Sequence, residues 1–154
     1  MKLLYTLVFM LTLSTYNVKA QSVTKQPLAL VKYKDNVKAP LTTKELKMLK
    51  EVYGNNLEKE VLSRPQRVKD FKNLLRNRVI IKQMPSLVNY PEKYKLLSET
   101  GLIKVYNPNL TMDSSYNEDS FNVLKYNLQF FGKRSSVYRI DNTNYFIHIK
   151  SQHQ

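Results

Sequence analysis

Two histidines, His148 and His153, are the chain's only imidazoles, the groups that transfer protons most readily near neutral pH. His153 falls in a tail, 151–154, that reads as frayed. His148 falls in the middle of a predicted strand, on its polar face, with no second ordered histidine at ligand spacing. The chain has no Cys, which removes thiol nucleophiles, thiolate metal sites, disulfides and a lipid-modified cysteine together. Its 3 glycines, Gly54, Gly101 and Gly132, lie too far apart to cradle a phosphate, and no G-x-S-x-G turn presents a serine nucleophile. Neither Glu58 with Glu60 nor Glu118 with Asp119 has a spacing that aims two carboxylates into one cleft. Asp113, Asn117 and Asp119 offer scattered oxygen ligands without the glycine and terminal glutamate of an EF-hand. Asn109-Leu110-Thr111 matches the glycosylation sequon, a pattern short enough to recur by chance. The expectation is therefore a protein that is not an enzyme, with no catalytic residue, no metal site and no cofactor.

What remains is a surface. If residues 124–131 form a strand, its polar side carries Lys125, Asn127, Gln129 and Phe131, and the strands after it add Arg139, Phe146, His148 and Lys150. Aromatic rings flanked by cations and amides can stack on a sugar or base while bonding its substituents. These eight are the predicted ligand-binding residues. A half-solvated sheet shows the same polar-out alternation with no ligand at all. The formal charge of +13 favours polyanions through steering and counterion release. Lys, Asn, Tyr, Phe and Ile share A/T-rich codons, however, so background composition accounts for part of the lysine. Lys44, Lys47 and Lys50, and Lys69, Lys72 and Arg76, recur at helical spacing and read as solvated helix faces.

The elements that must hold such a surface follow from periodicity. Thr42-Thr43-Lys44-Glu45 reads as a capping box opening a helix whose inward face is Leu46, Leu49 and Tyr53, with Gly54 as the stop. Asn56 caps a second, short helix burying Leu57 and Val61. Pro65 starts a third, with Val68, Phe71 and Leu75 as its stripe, ending near Asn77. Residues 78–84, centred on Val79-Ile80-Ile81, read as a strand, and Pro91 to Glu99 as a short helix with Tyr94 and Leu97 inward. Tyr106 to Ser120 is rich in Asn, Asp and Ser and reads as a long surface loop.

The last third alternates. Leu124, Tyr126, Leu128 and Phe130 face one way, Val137 to Ile140 forms a second strand, and Tyr145 to Lys150 a third. The predicted register sets Ile140 opposite Tyr145, Tyr138 opposite Ile147, Leu128 opposite Tyr138 and Tyr126 opposite Ile140, with Lys125 beside Asp141. The predicted fold is α+β: N-terminal helices packed on one face of a small, mainly antiparallel sheet that ends in a C-terminal three-stranded meander.

The first twenty residues direct the chain elsewhere. Lys2, the apolar run Leu3 to Leu13, and the small residue Ala20 before Gln21 have the form of a cleavable signal peptide. Ser14 to Asn17 end the run short of the ~20 residues a spanning helix needs. The expected organisation is a signal peptide over 1–20, a flexible arm over 21–40, one α+β domain over 41–150 and a frayed tail over 151–154. Cleavage between Ala20 and Gln21 removes Lys2 and Lys19 and lowers the charge from +13 to +11. The expected product is periplasmic or secreted, has no membrane span, and meets no intracellular nucleic acid. Its expected role is a binding or interaction module for an anionic polymer, glycan or envelope protein. The rival expectations are a structural subunit of an envelope complex, and an enzyme whose site joins His148 to a carboxylate such as Asp113 or Asp119.

Overall fold

A computed structural model describes residues 30–85, 93–113 and 115–153. The predicted signal peptide, residues 21–29 of the predicted arm, and Pro91 and Glu92 of the predicted short helix lie outside these residues. Helix α1 spans Thr43–Tyr53 and α2 spans Pro65–Asn73. The strands are β1, Val79–Gln83; β2, Lys95–Leu96; β3, Ser136–Arg139; and β4, Tyr145–Ile149. They form one mixed, mostly antiparallel sheet in the order β1-β4-β3-β2. With the helices on its inner side, the fold is α+β.

Helices α1 and α2 begin where the sequence predicts. Thr42 Oγ1 accepts from the Glu45 amide at 3.2 Å, and a Glu45 carboxylate oxygen accepts from the Thr42 amide at 2.8 Å, completing the capping box. Gly54 ends α1 at φ +50°, a left-handed conformation that a Cβ disfavours. The buried face of α1 is Glu45, Leu49, Val52 and Tyr53, so the predicted inward Leu46 is a correction: it is 40 % exposed. Leu49 and Tyr53 keep their predicted places, while Val52 and Glu45, which accepts from Arg76, take the side given to Leu46. The second helix is a π-helical turn over Glu58–Leu62, with Leu57 and Val61 buried as expected; its predicted Asn56 cap is a correction, since Asn56 closes the 3-10 turn Gly54–Asn56 and the helix has no side-chain cap bond among the described residues. α2 starts with Pro65 at its first turn and continues into a π-helical turn over Leu74–Arg78, which hands the chain to β1.

The β3–β4 hairpin keeps the predicted register, with Tyr138 opposite Ile147 and the Ile140 amide bonded to the Tyr145 carbonyl at 3.0 Å. Asn142 takes φ +54° in its turn, which asparagine tolerates better than most residues. Tyr138, Ile140, Ile147 and Ile149 face inward and join Leu49, Val52, Phe71 and Leu74 in one core cluster.

The first strand of the predicted meander is a correction. Residues 124–130 do not pair with β3; β1 pairs with β4 instead and supplies the third antiparallel strand. Asn122 accepts from the Leu124 amide at 3.0 Å and starts a 3-10 turn over Val123–Lys125. The Leu128 amide then bonds Tyr126 O, and the Phe130 amide bonds Leu128 O, each at 2.8 Å, so these donors are used within the segment. The stretch pairs instead with Gly101–Ile103, through a bridge between Leu102 and Tyr126. Its inward set was legible all the same: Leu124, Tyr126, Leu128 and Phe130 are all buried.

The short helix predicted up to Glu99 is also corrected. Lys95–Leu96 runs parallel to β3, the Leu97 amide bonds Arg139 O at 2.9 Å, and Ser98–Thr100 forms a 3-10 turn.

Candidate functional site

The eight predicted ligand-binding residues do not share one surface. Arg139, Phe146 and His148 lie together on the outer face of the sheet, where Lys82, Phe146, Arg139 and Leu96 form one row across the strands. Phe146 is nevertheless 0 % exposed, and the Tyr94 ring meets it edge-on at 5.5 Å, so it cannot stack on a ligand. Asn127, Gln129 and Phe131 are exposed but lie in the irregular 126–131 segment outside the sheet.

Lys125 is buried. Its Nζ sits 2.7 Å from an Asp113 oxygen and 3.5 Å from a Glu51 oxygen, not beside Asp141. Asp141 accepts from the Ser98 amide and hydroxyl. Asp113 also accepts from the Tyr126 hydroxyl at 2.7 Å, and burial, ahead of the neighbouring carboxylate, pushes that phenol's pKa up. Asp113 is thus engaged in the fold and does not meet His148. Among the described residues no group of three or more His, Cys, Asp or Glu side chains could hold a metal ion.

Lys150 has a different neighbourhood. It borders a cleft of about 400 Å³ with Lys32, Tyr33, Lys34, Asn73, Asn77, Arg78, Ser151 and Gln152. Four of these nine side chains are cationic and none is a carboxylate. Lys32, Lys34, Arg78 and Lys150 form no ion pair among the described residues.

Three parts of the chain build this cleft. The segment before α1 supplies Tyr33, whose hydroxyl donates to Asp70 of α2 at 2.5 Å and accepts from Gln66 at 2.7 Å. Lys69 Nζ lies 4.1 Å from the centre of the Tyr33 ring, a cation–π contact that holds the ring against α2. Burial and the Asp70 contact push the Tyr33 pKa up to about 12. The π-helical turn supplies Asn77, which donates to Asn73 at 3.0 Å, and Arg78. The C-terminal segment supplies Lys150 to Gln152. Ser151, in the predicted tail, is buried and donates to Lys133 O at 2.7 Å.

Arg78 is the anchor. It is 6 % exposed and, among the described residues, donates to main-chain carbonyls alone, from Nε to Lys150 O at 3.0 Å and from Nη2 to Phe130 O. Burial lowers its pKa, yet a guanidinium keeps its proton at any physiological pH. A buried cation satisfied by neutral oxygens leaves net positive charge in the cleft wall. Lys32, Lys34 and Arg78 carried no site signal in the sequence, because the two lysines interrupt a weak apolar run and Arg78 reads as the polar first residue of a strand.

No family model matches the chain, and comparison with curated proteins and with solved structures finds no match.

Proposed function

We propose that the protein is an exported, non-enzymatic binding module whose basic cleft takes an anionic group of an envelope component, glycan or partner protein. One observation carries this reading: four cations line a cleft of ligand size with no carboxylate among them. Asn73, Asn77 and Gln152 add amides that can bond the hydroxyls beside an anionic group. Export is supported by Lys2, the short apolar run that follows it, and Ala20 at the cut.

The test is fluorescence anisotropy of a fluorescein-labelled sulfated hexasaccharide with the mature chain at about 50 mM and 200 mM salt. Lys150→Ala, and separately Lys32→Ala with Lys34→Ala, should each weaken binding about five-fold, the effect of losing ~1 kcal/mol. Raising the salt should weaken it further. Binding that neither variant changes, or no binding at low salt, overturns the reading. One feature favours the rival reading as an envelope-complex subunit, the open edge of the sheet.

A further inference from the structure

β1 ends the sheet, and no described strand or bridge lies beyond it. Its register with β4, together with the bonds from Lys150 N to Arg78 O and from Met84 N to Asn144 O, commits the main-chain groups of residues 78, 80, 82 and 84 to β4. Those of Val79, Ile81 and Gln83 therefore point away from the sheet. The Val79 amide is taken by Leu74 O. The Ile81 amide and carbonyl have no partner among the described residues.

The same edge borders a groove of about 370 Å³, between α1, β1 and the 116–123 segment. Its apolar walls include Met48, Leu75, Val79, Ile81, Phe121 and Val123. An open pair of main-chain groups beside an apolar trough is the arrangement that accepts an added strand: the backbone bonds the edge and alternate side chains fill the trough.

We infer that this edge docks an extended, acidic peptide segment of a partner protein, added as a strand antiparallel or parallel to β1 and centred on Ile81. Charge selects the occupant. Lys82, on the outer face of this edge strand, has no ion pair among the described residues; on the groove rim Lys44 donates to Glu118 O at 2.8 Å without forming an ion pair, and Glu45 is already matched by Arg76. Glu118 is the remaining rim carboxylate. A second copy of the mature chain would itself carry +11, whereas an acidic strand meets complementary charge. This inference is independent of the basic cleft.

The probe is a labelled heptapeptide, Asp-Val-Thr-Ile-Thr-Val-Asp, titrated into the mature chain with amide exchange followed by NMR. Binding should slow exchange of the Ile81 amide at least about ten-fold, and the same peptide with lysine ends should bind at least about ten-fold more weakly. Ile81→Pro removes an amide that the β1–β4 ladder does not use, so the sheet should survive while binding is lost. If that variant fails to fold, the unaltered chain is titrated with the probe N-methylated at its central amides, which should not bind. Three results overturn the inference. They are no binding, binding insensitive to both changes, and an Ile81 amide already protected in the free chain. In the last case, concentration dependence assigns the edge to a second copy, and its absence to another segment of this chain.

Discussion

Replacing Arg76 by alanine removes the contact that joins the N-terminal segment, α1 and the π-helical turn. The guanidinium donates to the two Glu45 carboxylate oxygens at 2.6 and 2.7 Å, to Pro40 O at 2.7 Å, to Ala39 O at 3.3 Å, and to Asn36 O. The two side chains keep 14 % and 9 % of their surface, so the pair lies near the buried limit, where losing one partner costs about 3–5 kcal/mol. The orphaned carboxylate still accepts the Thr42 amide, which places the expected loss at the lower end, about 3 kcal/mol. Glu45→Gln keeps the size of the side chain and an acceptor for Thr42, and should cost about 1–2 kcal/mol. A double-mutant cycle of Arg76→Ala with Glu45→Ala should show about 2 kcal/mol of coupling.

The same contact makes a pH prediction. Burial raises the Glu45 pKa, but the bonds from Arg76 and Thr42 outweigh it, so the folded value lies below the usual carboxylate range. A lowered folded pKa contributes stability that is complete above the unfolded value, about 4.3, and is lost as pH falls through the folded value. Urea denaturation followed by circular dichroism, from about pH 7 down to pH 3, should show a steeper acid loss for the unaltered chain than for Glu45→Gln. Coupling below about 0.5 kcal/mol, or identical acid slopes, would refute the paired geometry.

Two further substitutions separate buried positions from displayed ones. Phe146→Ala should cost about 3–5 kcal/mol in the same denaturation experiment, while Phe131→Ala, at a position 54 % exposed, should stay within about 0.5 kcal/mol. Lys125→Met should cost about 2–3 kcal/mol because, among the described residues, it leaves the half-buried Asp113 carboxylate with the Tyr126 hydroxyl as its one donor. Adding Asp113→Asn should recover part of that loss; a double variant no more stable than Lys125→Met alone would argue against their pairing.

Local chemistry was readable in the residues themselves. The Thr42–Glu45 box, Pro65 at the head of α2, the Val79 strand and the β3–β4 register each depend on groups a few residues apart, so nearby sequence was enough to determine them. The inward alternation of Leu124 to Phe130 was equally plain, since apolar period reports which side is buried. It does not report which segment becomes the neighbour. Leu102 rather than Tyr138 pairs beside Tyr126, and β1 rather than residues 124–130 completes the antiparallel sheet.

The site was decided at longer range still. Lys125 and Phe146 have the spacing of outward residues, yet Asp113, Glu51 and Tyr94 reach them from other parts of the chain and bury them. The cleft joins Lys32, Arg78 and Lys150, far apart in the chain, and a charge becomes part of a site only when folding puts it beside others with no carboxylate between them. Residue type determined which groups could attract an anion. Tertiary packing decided which of them were left without a partner, because burial and pairing depend on what the rest of the chain brings near.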